Sequence, residues 1–140
     1  MGAPGAGKTT WLEANKKPND HVYNTHAVRV NKDIDVASYM GYIRLKAAKA
    51  IDQGLDVIAD GTHTIRDHRV YWLKLAKRYQ IETRLVIFQT PLSLLLEANA
   101  KRVHPASYKS IIDHHKRLGA SLSILENEGW TTIEKIRRIS

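Results

Sequence analysis

The sequence predicts an α/β fold in which a parallel sheet is flanked by helices on both faces. Three observations carry that expectation. Short β-rich runs alternate with segments of helical periodicity along the chain, the pattern of strands joined by helical crossovers. The run Leu85-Val86-Ile87-Phe88 is continuously apolar, as a strand covered on both faces should be. Polar residues collect just past two such runs, at Asn31-Lys32-Asp33 and Asp60-Gly61-Thr62-His63, and sheets of this kind bind ligands beyond the carboxyl ends of their strands. At 140 residues and 43% hydrophobic, the chain suits one domain spanning 1–140.

The amino end is the most informative stretch. Gly2-Ala3-Pro4-Gly5-Ala6-Gly7-Lys8-Thr9 fits G-x-x-x-x-G-K-[ST] at every fixed position, the pattern of a P-loop. Its glycines permit turns that turn successive N–H groups toward one anion. The candidate nucleotide contacts are Gly2, Gly5, Ala6, Gly7, Lys8, Thr9 and Thr10, with Lys8 meeting the β/γ-phosphates and the Thr9 hydroxyl meeting Mg2+. The helix that follows points its positive end at the same phosphates. Only Met1 precedes Gly2, so the sheet is expected to lack the strand that leads into such a loop.

The first helix should run to Lys17 and stop at Pro18. A strand is predicted from His21 through Val30, then a helix over 35–53 with Val36, Met40, Ile43, Ala47 and Ala50 on one stripe and Gly54 as its stop. Residues 55–59 read as a buried strand. Thr64-Ile65-Arg66-Asp67 resembles a capping box, opening a helix that buries Trp72, Leu75, Ala76 and Tyr79. After the 85–88 strand, Thr90-Pro91 should cap a helix to Lys101, and His104-Pro105 should open another that Gly119 ends. A last strand is expected over 131–136.

Twenty-two Lys and Arg against 14 Asp and Glu give a formal charge of +8, which favours a polyanionic partner such as nucleic acid. No stretch is long and apolar enough to cross a bilayer, and no cysteine is present for disulfides or thiolate metal sites, so a cytoplasmic protein with no membrane partner is the expectation.

A bound triphosphate needs an acceptor, either water or a hydroxyl. Asp33 is placed to take a proton from a hydroxyl attacking in line, and it is equally placed to cap the next helix. Asp60 follows a hydrophobic strand as a Walker-B-type carboxylate does, or else serves an Asp-Gly turn. Arg102, just past a helix, suits a lid contact with the transferring phosphoryl group, against the alternative of a solvated helix end. The neighbouring His114 and His115 read as packed or solvated residues rather than metal ligands.

Taken together, the P-loop followed by Trp11, then Asn31-Lys32-Asp33, Ala59-Asp60-Gly61-Thr62, the helix ending at Tyr79, and Asn99-Ala100-Lys101-Arg102 resemble the phage-type 5′-hydroxyl polynucleotide kinases over residues 2–118. That resemblance implies an adenylate-kinase-like fold and ATP-dependent, Mg2+-requiring phosphorylation of a 5′-hydroxyl on DNA or RNA. It implies Lys8 and Thr9 as phosphate and Mg2+ residues, Asp33 as general base, Asp60 as a site carboxylate and Arg102 as the lid arginine. Val36 and Ala98 stand where that family places arginines, and His63 where it places asparagine. Lys32 and Arg66 are the basic residues available to replace the acceptor contact, beside Thr62 and Asp60. The alternatives are a small-molecule kinase of the same fold, acting on a nucleoside, sugar or antibiotic hydroxyl, and a nucleotide-binding module without catalysis.

Overall fold

The computed structural model describes residues 1–24, 33 and 35–138. Its elements in chain order are α1 (Lys8–Asn15), β1 (His21–Asn24), α2 (Val36–Asp52), β2 (Val57–Asp60), α3 (Arg66–Tyr79), β3 (Arg84–Gln89), α4 (Leu92–Ala100), α5 (Tyr108–Leu125) and β4 (Thr132–Arg137). Short parallel strands alternate with helices, as the sequence predicts for an α/β protein. These residues form two compact units, one of Leu12–Gly61 and one of Met1–Trp11 with the chain from Thr62 onward. Among the described residues no helix is long and apolar enough to cross a membrane.

In the Leu12–Gly61 unit, β1 and β2 pair in parallel from His21 opposite Val57 to Asn24 opposite Asp60. The expected continuation of β1 to Val30 lies outside the described residues. Helix α2 is capped by Asp35, whose carboxylate accepts from the Ala37 N–H at 3.2 Å and from the Ser38 hydroxyl at 2.7 Å. Ile43, Ala47 and Ala50 form its buried stripe, and Gly54 follows with φ of 77°. Val36, predicted to share that stripe, is 55% exposed because it sits in the unpacked first turn.

In the larger unit, β3 and β4 pair in parallel from Arg84 opposite Thr132 to Gln89 opposite Arg137. Strand β3 is buried on both faces. Leu85 and Ile87 pack with Met1, Leu118 and Leu125, while Phe88 packs with Ala3, Ala6, Leu95 and Ile111. Gly119 does not end α5, which runs on to Leu125. An interior glycine costs about 1 kcal/mol, but Ser121 and Leu125 carry the buried stripe of Ile111 and Leu118 past it, and burying one leucine contributes about 1.5–3 kcal/mol. The helix therefore continues.

Helix α3 also departs from expectation. Its N-cap is Ile65, with no side-chain cap, and Thr64 is turned elsewhere. Leu75 and Ala76 are buried as predicted, but the third buried side chain is Arg69, while Trp72 and Tyr79 are only half-buried. Arg69 makes a two-pronged ion pair with Glu128, Nη2 to Oε1 at 2.6 Å and Nε to Oε2 at 3.0 Å, with both side chains nearly sealed from solvent. Trp130 Nε1 donates to the same carboxylate at 3.0 Å. Burial alone would raise the Glu128 pKa; hydrogen bonds from Arg69 and Trp130 and the charges of Arg69 and Arg66 outweigh it and hold the carboxyl below its ordinary value.

Two measurements check these assignments. Gly119→Ala, whose added Cβ meets no atom within 4 Å, should raise unfolding free energy in urea by about 0.5–1 kcal/mol. Glu128→Ala leaves a buried guanidinium unpaired and should cost about 3–5 kcal/mol at neutral pH. A carboxyl with a depressed folded pKa stabilises above its unfolded value and loses that contribution as it protonates, so the gap between wild type and Glu128→Ala should close as pH falls below about 4.

Candidate phosphate-binding site

The P-loop is fastened at its first residues by backbone hydrogen bonds. The Met1 amine donates to the Val86 carbonyl at 2.7 Å, and the Phe88 N–H donates to the Met1 carbonyl at 2.9 Å, the alternation of a parallel strand pair. Met1 thus occupies a strand-like place beside β3, although no strand is assigned before the loop. On the loop's other side the Gly2 N–H donates to the Thr62 carbonyl at 2.9 Å. A Cβ on Gly2 would lie 3.0 Å from the Phe88 Cβ, so a larger residue there would have to push the Phe88 side chain back by a few tenths of an ångström.

From there the loop turns through Gly5 and Gly7, with φ of 84° and 92°. Lys8 Nζ donates to the Gly2 and Ala3 carbonyls, each at 2.8 Å, drawing the loop around its ammonium group. The buried Thr90 hydroxyl donates to the Ala6 carbonyl at 3.3 Å instead of capping α4. Helix α1 begins at Lys8 with no acidic residue in its first turn, and Thr9 and Thr10 are exposed there. The backbone N–H groups of a helix start, an ammonium and two hydroxyls, with no acidic residue in the first turn, make a donor set suited to an anion. Among the described residues no three His, Cys, Asp or Glu side chains gather into a metal cage. These donors would suit a Mg2+ that arrives with phosphate, for which the Thr9 hydroxyl is the loop residue that would serve.

Helix α4 flanks the loop. A Cβ on Gly5 would meet the Leu95 carbonyl oxygen at 3.0 Å and the Ala98 Cβ at 3.5 Å. Arg102 lies just beyond this helix, half-buried, its N–H donating to the Asn99 carbonyl at 3.1 Å. The segment carrying it is pinned. Buried Asn99 donates from Nδ2 to the Ala106 carbonyl and accepts from the Ala106 N–H, both at 2.8 Å. The sequence marks Asn99 only as part of a run before Arg102.

The turn after β2 closes another side. His63 has φ of 50°, uncommon for a residue with a Cβ, and its carbonyl accepts from Arg69 Nη1 at 2.9 Å. Thr64, expected to cap α3, is buried, and its hydroxyl lies 2.6 Å from His114 Nδ1. Burial, with the charges of Arg117, Lys8 and His68, lowers the His114 pKa against the opposing effect of Asp113. His114, expected to be packed or solvated, and Arg69, one of many scattered basic residues, carry no local sequence signal of these contacts.

The other candidates belong elsewhere in the chain. Asp60 ends β2, half-buried, in the Leu12–Gly61 unit, and Arg66 is exposed at the start of α3. Asp33, in that same unit, is exposed in a turn, and the capping role open to it from sequence is filled by Asp35. Lys32 lies outside the described residues.

Substitutions at two loop glycines separate strain from crowding. Gly5→Ala meets both a positive φ and the Leu95 carbonyl and should lower unfolding free energy by about 2–4 kcal/mol; Gly7→Ala, with no atom within 4 Å, should cost about 1–2 kcal/mol. Thermal denaturation of the two variants side by side makes the comparison.

Among curated proteins none matches the chain in sequence. A family model described as an AAA domain does match, over residues 1–118, which takes in the phosphate loop, the turn after β2, Arg102 and the amino half of α5. With most of its length matched, the chain belongs to this family of P-loop, kinase-like nucleotide-binding domains.

Proposed function

We propose that the protein transfers the γ-phosphoryl group of ATP to a 5′-hydroxyl of DNA or RNA, as a single kinase domain over 1–140. The loop geometry carries the nucleotide half of this reading: Gly5 and Gly7 at positive φ around an ammonium group, at a helix start free of acids. Lys8 balances charge on the β/γ-phosphates, Thr9 and Asp60 serve Mg2+, and Arg102 meets the transferring group. Asp33 takes the proton of the attacking hydroxyl. Its place just past the second strand in sequence supports that role, and the cap of α2 is supplied by Asp35. The net charge of +8 supports a polyanionic acceptor, with Lys32, Arg66, Thr62 and Asp60 at its site.

A small-molecule kinase is the second reading, favoured by Val36, which puts a half-exposed aliphatic side chain where the resembling kinases carry an arginine for the acceptor phosphate. Salt separates the two. For an oligonucleotide touching about three phosphates through the protein, raising salt from about 50 to 200 mM should weaken acceptor binding more than tenfold, whereas a neutral alcohol should barely respond.

The direct experiment incubates the protein with γ-labelled ATP, Mg2+ and 5′-hydroxyl oligonucleotides beside a panel of small alcohols. Label should appear at the oligonucleotide 5′ end. Asp33→Asn should lower kcat by about 10²–10⁴-fold and leave the Kd for ATP within about twofold, while Lys8→Ala should remove ATP binding. Retention of full activity in Asp33→Asn would discard the general-base role, and absence of transfer to any acceptor would leave a nucleotide-binding module.

A further inference from the structure

His114 stands on α5, far in sequence from the phosphate loop, yet a chain of short contacts ties it there. Its Nδ1 lies 2.6 Å from the hydroxyl of Thr64, a residue only 3% exposed. Two residues earlier, the Thr62 carbonyl holds the Gly2 N–H, and the intervening His63 carbonyl is fixed by buried Arg69. Lys8, bound to the Gly2 and Ala3 carbonyls, is near enough for its charge to act on the imidazole. The groups acting on His114 are Lys8 from the loop, His68 from α3, and Arg117 and Asp113 from α5 itself. Cationic and protonatable groups outnumber the single acid. Such a cluster is short of negative charge, and an anion held by the loop supplies it.

We propose that His114 is a phosphate-contacting residue of the P-loop site, braced at Nδ1 by Thr64 and offering Nε2 to the terminal phosphate of a bound nucleoside triphosphate. This rests on the loop being a nucleotide site, as argued above. Its signature is a proton. Burial and the charges of Arg117, Lys8 and His68 keep the free imidazole below its ordinary pKa of about 6.5, so it is neutral at pH 7. A phosphate beside it reverses the balance of charge and raises that value. The bound protein then holds more protons than the free one, and affinity must increase as pH falls.

The test is calorimetric binding of ATP with saturating Mg2+ at pH 6 and pH 8, on wild type and His114→Gln. Any titration of the nucleotide is common to both proteins and cancels in the ratio. Wild type should bind about tenfold more tightly than His114→Gln at pH 6 and within about twofold of it at pH 8. At pH 7, binding enthalpies of the wild type in buffers of different ionisation heat should show proton uptake, a measurement that holds even if the variant folds poorly. Thr64→Ser, which keeps the hydroxyl, should retain the wild-type profile. Parallel profiles in wild type and His114→Gln, or binding without proton uptake, would overturn the role of His114 and leave the nucleotide site standing. Absence of ATP binding by the wild type at both pH values would remove the nucleotide site itself, and this role with it.

Discussion

The arrangement around the phosphate loop depends on three backbone hydrogen bonds made by its first two residues. Met1 is laced to β3 through Val86 and Phe88, and Gly2 is held from the opposite side by Thr62. A glycine-rich loop has more conformational freedom to lose than any other kind of segment. Anchoring its entrance to a strand buried on both faces limits that loss to the few residues that curve around the anion. Lys8 continues the constraint from the other end by gathering the Gly2 and Ala3 carbonyls. The loop is therefore shaped before any phosphate arrives, which reduces the ordering cost of binding.

The same residues that hold the loop also place its surroundings. Thr62 belongs to a turn fixed by Arg69 through the His63 carbonyl, and Arg69 is fixed in turn by Glu128, whose carboxylate also accepts from Trp130. An unusual backbone angle at His63 persists because buried charge on one side and the Thr64–His114 contact on the other leave it no relaxed alternative. Around Gly5 the approach of Leu95 and Asn99 brings the start of the Arg102 segment to the loop. Phosphate chemistry and core packing are thus served by one set of side chains.

What could be read from sequence is what lies contiguous in it. The loop needs four residues of fixed type within eight successive positions, and α2 announces itself by its apolar stripe and a Gly at its end, so both are legible, although the capping Asp is Asp35 and not Asp33. The parallel α/β architecture followed from the alternation of patterns. Pairings between distant positions were not legible: Arg69 with Glu128, Thr64 with His114 and Asn99 with Ala106 each join residues whose types suggest ordinary surface or capping roles. Thr64 illustrates the reason. A threonine before a helix usually serves its own backbone, and only the arrival of α5 beside it offers a better partner. Gly119 failed as a stop for a related reason, since the burial that carries α5 onward comes from strands elsewhere in the chain.

The family match ends at Leu118, in the middle of α5, yet the residues beyond it are integral to the body of the unit. They include Leu125, which is 1% exposed against β3, the carboxylate that neutralises Arg69, and the strand that covers one side of β3. A polypeptide cut where recognisable similarity stops would have a bare, hydrophobic strand edge open to other chains, and a stranded guanidinium under the turn that supports the phosphate loop. Where homology can be detected and where the molecule is self-supporting are two different boundaries here.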